Sequence, residues 1–179
     1  MKHLTKTLLI IVVLFISISC SKDEVDEFNA SYIVGSWKDT DYHLTVTSVL
    51  SYNDNSLPDE NTVATHNQTS NEEANDAILV FNTDNTYTAT GSTEIHSVTT
   101  VDGEVTSDET ESTTPSPEGE WSVNDDQFTI TIDEESSTST IISHTANTFT
   151  LKYTDHIEED YDTVTAVMDI ELFQTFTKQ

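Results

Sequence analysis

Apolar and polar positions alternate with a period of two along most of the chain after residue 34. The last segment shows the pattern most clearly. One side carries Val164, Ala166, Met168, Ile170, Leu172 and Phe176, and the other carries Thr165, Asp169, Glu171 and Thr177. Such alternation is typical of β-strands that bury one face. Because no window of helical spacing competes with it, the pattern predicts an all-β protein with at most a short turn around residues 71–76.

The first predicted strand contains a break in this alternation. Trp37 is out of step with the apolar residues Tyr42 and Leu44, so we expect a bulge or a bend between them. The segment that follows, residues 51–76, is polar and interrupted by turn-forming residues. Within it, residues 62–69 are a weak strand candidate.

Turn-forming residues mark the predicted hairpins. Asn85 follows an apolar run and can adopt the left-handed conformation that a tight turn requires. The Asp102-Gly103 pair between β-forming residues favours a type I′ turn. The arms of that hairpin are predicted at about residues 87–101 and 104–114.

Counting strand and turn signals gives about eight to ten antiparallel strands in one meander. Sequential hairpins favour closure as an up-and-down β-barrel over a Greek-key sandwich. Closure also removes the free edges through which a Thr-rich sheet pairs with other chains. The predicted fold is therefore an antiparallel up-and-down barrel over residues 33–179.

The first twenty residues carry export and anchoring signals. Lys2 and Lys6 precede an apolar run, residues 8–18, that is too short to span a bilayer and is typical of a secretory signal peptide. Small residues precede Cys20, and this arrangement resembles the lipobox of bacterial lipoproteins. The resemblance implies that residues 1–19 are removed and that Cys20 is acylated, whereas a plain secretory signal with a coincidental cysteine is the alternative.

Residues 20–32 are expected to form a flexible, acidic tether. Residues 21–24 are similar to the surface-export signal of Bacteroidota lipoproteins, although a solvated linker explains the same charges. Multiple acylation anchors a protein stably, because each buried methylene contributes about 0.8 kcal/mol. We therefore expect an outer-membrane lipoprotein of the cell envelope, attached through Cys20, with the cell surface and the periplasmic face both open as its location.

Four short motifs follow one another within the predicted barrel. They are residues 34–38 around Trp37, residues 79–82 with Tyr87 and Thr88, residues 119–123 around Trp121, and residues 173–179. In this order they resemble the lipocalin-like lipoproteins of Bacteroidota, which are calycin-like β-barrels. The resemblance implies that Trp37 plugs the barrel floor beneath Lys178, which stands where Arg is more usual. Trp121, in a second Gly-x-Trp motif, is expected to have a comparable setting.

The charge balance excludes one class of partner. Asp and Glu number 33 against six Lys and no Arg, for a formal net charge of −27. Such a surface repels polyanions and lacks the guanidinium fork that holds phosphate, so we expect no nucleic-acid binding. The acidity is typical of a highly soluble surface. Cys20 is the only cysteine, so an intramolecular disulfide and a Cys-based metal site are excluded.

The sequence carries no pattern typical of a catalytic or metal centre. Carboxylates form runs, as at residues 158–162, but these lack the Gly of a calcium loop. Solvated loops are expected, with a weak divalent-cation site as the alternative. The histidines are scattered, no Gly-x-Ser-x-Gly elbow is present, and the acids lie on outward positions of the strands whose faces are readable. We therefore expect no enzyme activity, no cofactor and no metal.

The inward-facing side chains are the remaining candidates for function. Those predicted to line a ligand site are Tyr42, Leu44, Phe81, Tyr87, Phe128, Phe149, Tyr153 and Met168. They either fill the core of a small barrel or line a cup for a small hydrophobic or amphipathic ligand, with Tyr hydroxyls as orienting groups. Ligand binding is the leading hypothesis. The alternative is an adhesion or protein-partner module with a filled core and no ligand.

Overall fold

The computed structural model describes residues 29–52, 61–161 and 164–179, and this part of the chain is all-β. A short 3-10 helix, Ala30–Tyr32, precedes the first strand. The strands are β1 (Gly35–Tyr52), β2 (Thr62–Ser70), β3 (Ile78–Phe81), β4 (Thr86–Thr90), β5 (Thr93–Val101), β6 (Glu104–Thr113), β7 (Glu118–Asn124), β8 (Gln127–Ile132), β9 (Glu135–His144), β10 (Thr148–Tyr161) and β11 (Val164–Lys178). Every pairing is antiparallel, which confirms the predicted class.

The predicted signal peptide, Cys20 and residues 20–28 of the tether lie outside the described residues. The end of the predicted tether belongs to the folded domain, because the Asn29 side chain caps the 3-10 helix by accepting a hydrogen bond from the Ser31 N–H at 2.9 Å. Ile33, which follows this helix, is buried. Within the described ranges, no helix is both long enough and apolar enough to cross a membrane.

Eight of the strands form a closed ring in the order β1–β3–β4–β7–β8–β9–β10–β11, and β11 pairs back onto β1. The β1–β11 pairing extends from Trp37 opposite Lys178 to Tyr52 opposite Val164. This long ladder holds the ring shut, since the two strands at its seam are 18 and 15 residues long. The ring encloses the core.

The other three strands extend the sheet beyond the ring in the order β1–β2–β5–β6. We call this extension the wing, and include in it residues 43–52 of β1, 153–161 of β10 and 164–173 of β11. Residues 35–38 of β1 pair with β3 in the ring, whereas residues 43–50 pair with β2 in the wing. The two halves of β1 therefore belong to two different parts of the fold.

The prediction of about eight to ten strands in one sequential meander is wrong in count and in order. The described residues contain eleven strands, and β2 is separated from β3 in the sheet by β1. The predicted long arm over residues 87–101 is split at Gly91, where the chain leaves the ring for the wing. Gly91 has a φ of +86°, and a Cβ there would lie 2.4 Å from the Asp76 carbonyl oxygen, so only glycine fits this crossing.

Several local predictions are confirmed. The β1–β11 register shifts between Asp39 and Asp41, which is the expected bulge after Trp37. Asn85 has a φ of 67°, and Asp102 and Gly103 have φ values of 50° and 85°. The weak strand candidate at residues 62–69 is β2.

One tight turn was not anticipated. Asp133 and Glu134 both have positive φ, 51° and 73°, and join β8 to β9. Positive φ at both central residues is the requirement of a type I′ turn, which Asn and Gly satisfy more easily than Glu. The sequence therefore carried no strong turn signal at this place.

Aromatic side chains fill the interior of the ring. The Trp37 and Phe149 ring centroids are 4.8 Å apart in an edge-to-face arrangement, and Phe149 stacks on Phe176 at 4.7 Å. Phe81 meets Phe128 edge-to-face at 5.6 Å. All five side chains are at least 98% buried, and burying a side chain of this size contributes roughly 1.5–3 kcal/mol.

Candidate functional site

A cavity of about 410 Å³ lies where the ring opens towards the wing. Its apolar surface is formed by Ala77, Leu79, Tyr87, Ile95, Ile130, Ile132, Leu151 and Phe176. These residues come from both the ring and the wing, and the segment 113–116 after β6 completes the rim. The cavity is therefore bounded partly by the ring and partly by the wing.

Polar side chains from β1, β2 and β11 form one wall of this cavity. The Gln174 side-chain amide donates a hydrogen bond to Oδ2 of Asp39 at 2.8 Å. The Tyr42 hydroxyl donates to the Gln68 side-chain oxygen at 3.2 Å. Asp39, Tyr42, Gln68 and Gln174 all line the cavity, so its wall combines one carboxylate, one phenol and two amides.

The Asp39 carboxyl group is buried, and one of its oxygens is unpaired. The residue is 5% exposed, and Oδ1 has no hydrogen-bond partner among the described residues. This position contradicts the expectation that the acids face outward. The bulge after Asp39 explains the error, because it shifts the alternation by one residue and keeps Asp39 on the inward side with Trp37.

Asn75 holds the backbone around Asp39 in place. Its side-chain amide donates to the Asp39 carbonyl at 2.8 Å. Its side-chain oxygen accepts from the Ala77 N–H at 3.0 Å and from the Thr93 hydroxyl at 3.2 Å. Asn75 is 2% exposed, so these bonds form away from water and fix the junction between β1, β3 and β5.

Burial raises the pKa of Asp39 to about 6. The Gln174 hydrogen bond opposes this shift, as does the nearby Asp41 N–H, while the Asp41 carboxylate adds to it by repulsion. Burial and the Asp39 charge also raise the pKa of the Tyr42 hydroxyl. At neutral pH the wall therefore holds a mostly ionised carboxylate beside a neutral phenol.

The eight predicted ligand-lining residues fall into three places. Tyr42 and Tyr87 line the cavity. Phe81, Phe128 and Phe149 lie in the packed core of the ring. Leu44, Tyr153 and Met168 lie on the inner face of the wing, where Leu172 stands opposite both Leu44 and Tyr153.

Trp37 and Lys178 lie opposite each other on β1 and β11. The Lys178 ammonium is 5.3 Å from the centroid of the Trp37 ring, and the indole N–H donates to the Ile33 carbonyl at 2.6 Å. The Trp121 indole N–H donates to the Asn82 and Thr86 carbonyls at 3.2 and 3.1 Å. Both indoles are buried and hydrogen-bonded, and neither is among the residues that line the cavity.

Sequence reasoning missed the polar wall. Asp39, Gln68 and Gln174 were not selected, since a lone acid or amide in a strand is ordinarily a solvated residue. The one available signal was the break in alternation between Trp37 and Tyr42. That break predicts a bulge, and a bulge after Asp39 places its side chain on the inward face with Trp37.

The outer surface offers weaker candidates. His156 lies 2.6 Å from Asp169 on the wing, and this hydrogen bond raises the pKa of the exposed imidazole. His96 makes a similar contact with Asp108 at 2.8 Å. Within the described part of the chain, no three His, Cys, Asp or Glu side chains are grouped to hold a metal ion.

Comparison with known proteins identifies no match to this chain among family models, curated proteins or solved structures. The case for function therefore rests on the cavity and on the residues that line it.

Proposed function

We propose that this protein binds a small hydrophobic or amphipathic molecule in the cavity between ring and wing. The observation that carries the proposal is a partly open cavity of about 410 Å³ that is lined by apolar side chains and by one polar wall. Small-molecule sites are commonly about 300–1,000 Å³, mostly apolar, with a few placed polar groups. The aromatic core of the ring is packed by its own side chains, and the cavity lies beside it rather than within it.

The wing extends the apolar surface above the cavity. Phe176, Leu172 and Ile170 occupy alternate positions of β11 and so share one face of the sheet. Leu44 on β1 stands opposite Leu172 on that face. A ligand longer than the cavity can therefore rest its apolar end against the wing.

The proposed binding is non-catalytic. The Asp39 carboxylate is paired with the amide of Gln174, which is neither a nucleophile nor a proton donor of suitable pKa. Tyr42 is paired with a second amide, that of Gln68. These pairings suit recognition of a ligand better than proton transfer to it.

We further propose that the fold is lipocalin-like and that the protein is an outer-membrane lipoprotein of the cell envelope. A closed antiparallel ring with a buried Trp beneath a basic residue of the last strand supports the first part. The second part rests on the sequence around Cys20. Mass spectrometry of the processed N-terminus tests it, and an unmodified Cys20 thiol would refute the anchor.

A partner-binding role is the second candidate, and the free edge of β6 favours it. Within the described residues β6 pairs only with β5, and Val105 is 62% exposed. An edge strand offers unpaired backbone groups to another chain. Asp108, Glu109 and Glu111 along it restrict such a partner to a basic or neutral segment.

Binding of the neutral probe N-phenyl-1-naphthylamine, followed by its fluorescence, tests the proposed function. Ile132→Trp places a larger side chain in the cavity lining, and we expect it to weaken binding by about tenfold or more, since overfilling removes the space. Ile142→Trp is the matched control, because Ile142 is 49% exposed on the neighbouring strand and does not line the cavity.

Equal binding by both variants and the unaltered protein would overturn the site, and absence of probe binding would overturn the proposal. Native mass spectrometry of the protein purified from its own cells then identifies a co-purified ligand by mass.

A further inference from the structure

The charged groups of the cavity are all acidic. Among the described residues that line it, Asp39 and Glu111 are the only ones that carry charge at neutral pH, and no Lys or His is present. Glu111 is exposed at the rim, whereas Asp39 is buried in the wall. The potential inside the cavity is therefore negative, and it is strongest where the wall excludes water.

The Asp39 carboxylate lacks the partners that a buried anion ordinarily has. Gln174 satisfies one oxygen with a single neutral donor at 2.8 Å, and Oδ1 has none. A buried carboxylate without compensation is costly, and a charged donor stabilises it more than a neutral one. Oδ1 is covered by protein, so a ligand reaches the carboxyl group at its cavity edge or after rotation about the Cβ–Cγ bond.

Two features of the structure hold the Asp39 side chain in this inward position. The bulge directs the side chain inward, and Asn75 holds the Asp39 carbonyl with a buried hydrogen bond. Apolar side chains adjoin this polar wall, because Phe176 pairs with Asp39 across β1 and β11 and Leu151 pairs with Gln174 across β10 and β11. Leu79, on β3 beside β1, also lines the cavity. The cavity thus sets one buried carboxyl group beside an apolar surface.

We infer that the ligand of this cavity is a cationic amphiphile, whose protonated amine binds the Asp39 carboxylate while its apolar body packs on Leu79, Leu151 and Phe176. This inference rests on the proposed function and specifies the chemical class of its ligand. A carboxylate-bearing ligand such as a fatty acid is disfavoured, because it would bring a second anion against Asp39 and Glu111.

The affinity for such a ligand depends on the charge of Asp39. The titratable groups that face it are Asp41 and Tyr42 on β1, Tyr87 on β4 and Glu111 on β6. Since burial raises the pKa of Asp39 to about 6, the carboxylate gains a proton as the pH falls from 8 to 5. An amine should therefore bind less tightly at pH 5, whereas a neutral ligand should be indifferent.

Calorimetric titration with octylamine, octan-1-ol and octanoate at pH 8 and 150 mM salt tests the inference. We expect octylamine to bind at least about tenfold more tightly than octanol, because its ammonium group can donate one charge-assisted hydrogen bond to the carboxylate. Octanoate should bind most weakly. Asp39→Asn should remove the preference for the amine, so that octylamine and octanol bind with similar affinity, because the amide is uncharged but keeps the shape and the Gln174 hydrogen bond.

Asp41→Asn is the matched control. It removes the same charge two residues away, from an exposed side chain that does not line the cavity, so the preference for the amine should persist. A cooperative urea unfolding transition shows that the Asp39→Asn variant is folded. In the unaltered protein, a roughly tenfold loss of octylamine affinity from pH 8 to pH 5 with constant octanol affinity supports the same conclusion without any variant.

The outcomes separate the two proposals. Octanol binding without a preference for octylamine overturns the amine inference and leaves the proposed function standing. An amine preference that survives in Asp39→Asn also overturns it, since the general surface charge would then be the cause. Binding of none of the three probes overturns both proposals.

Discussion

At the scale of single residues, Asp39 combines structural cost with a candidate role. A carboxylate that is 95% buried beside one amide donor weakens the folded state whenever it is ionised. Residues that are costly to stability and line a cavity are frequently functional. Asn75, which forms hydrogen bonds with β1, with β5 and with Ala77 just before β3, maintains the position of Asp39.

The pH dependence of stability checks this interpretation of Asp39. Its pKa is raised from 3.8 to about 6, so its contribution to stability is fully present below pH 3.8 and is lost as the pH rises through 6. Between pH 5 and pH 8 this loss is about 1 kcal/mol. We expect Asp39→Asn to be more stable than the unaltered protein at pH 8 and closer to it at pH 5, measured by urea unfolding.

Asp41→Asn again serves as the control, because it lowers the overall negative charge equally and leaves the buried Asp39 carboxyl group in place. If both variants shift the pH profile by the same amount, repulsion across the whole surface is the cause and Asp39 has no special environment.

Among the strands, β1 connects the two parts of the fold, because its 18 residues extend from the ring into the wing. The first part pairs with β3 and the later part with β2, while β11 follows both parts. The chain also passes between ring and wing at Gly91, between β4 and β5. Residues beside both of these crossings line the cavity, namely Asp39 and Tyr42 on β1 and Thr93 after Gly91, so the geometry of the crossings contributes to its shape.

Two glycines allow the crossing at Gly91 to be tested. Gly91→Ala introduces both a left-handed alanine and a Cβ 2.4 Å from the Asp76 carbonyl oxygen. Gly103→Ala introduces only the left-handed alanine, since nothing lies within 4 Å of its Cβ and its φ is +85°. We expect Gly103→Ala to cost about 1 kcal/mol in free energy of unfolding and Gly91→Ala about 2 kcal/mol more.

Urea unfolding of the two variants gives both values. Equal losses would show that the chain relaxes around Asp76 at little cost, and the crossing would then not be a rigid feature of the fold.

Particular turns and side chains show which parts of the structure the amino-acid sequence predicts. The turn at Asn85 and the hairpin at Asp102-Gly103 were predictable, because a left-handed φ is selected by the residue itself. The turn at Asp133 and Glu134 was not, since Glu is a poor residue for this conformation and tertiary pairing of β8 with β9 imposes it. The predicted ligand-lining set contained Tyr42 and Tyr87 but none of the amides that complete the cavity wall.

At the scale of the whole molecule, a net charge of −27 makes self-repulsion a general property of the fold. Compact states with a large net charge are destabilised by this repulsion, and salt screens it. Few cations offset the acids. Lys152 pairs with Glu171 at 2.7 Å, and Lys178 lies over the Trp37 ring.

Added salt should therefore raise the melting temperature. We expect an increase between 20 and 500 mM NaCl, where the Debye length falls from roughly 20 Å to about 4 Å. Differential scanning calorimetry measures the melting temperature, and no increase with added salt would show that repulsion between the acidic side chains does not limit stability.

Alternation and turn chemistry act between residues close in the chain, so the amino-acid sequence predicts most of the strands, most of their turns and the bulge after Trp37. The division of β1 between ring and wing, the inward position of Asp39 and the cavity between the two parts are features of the tertiary structure. These features depend on pairings between strands far apart in sequence. Many such pairings are compatible with the same alternation, and packing around the aromatic core selects among them.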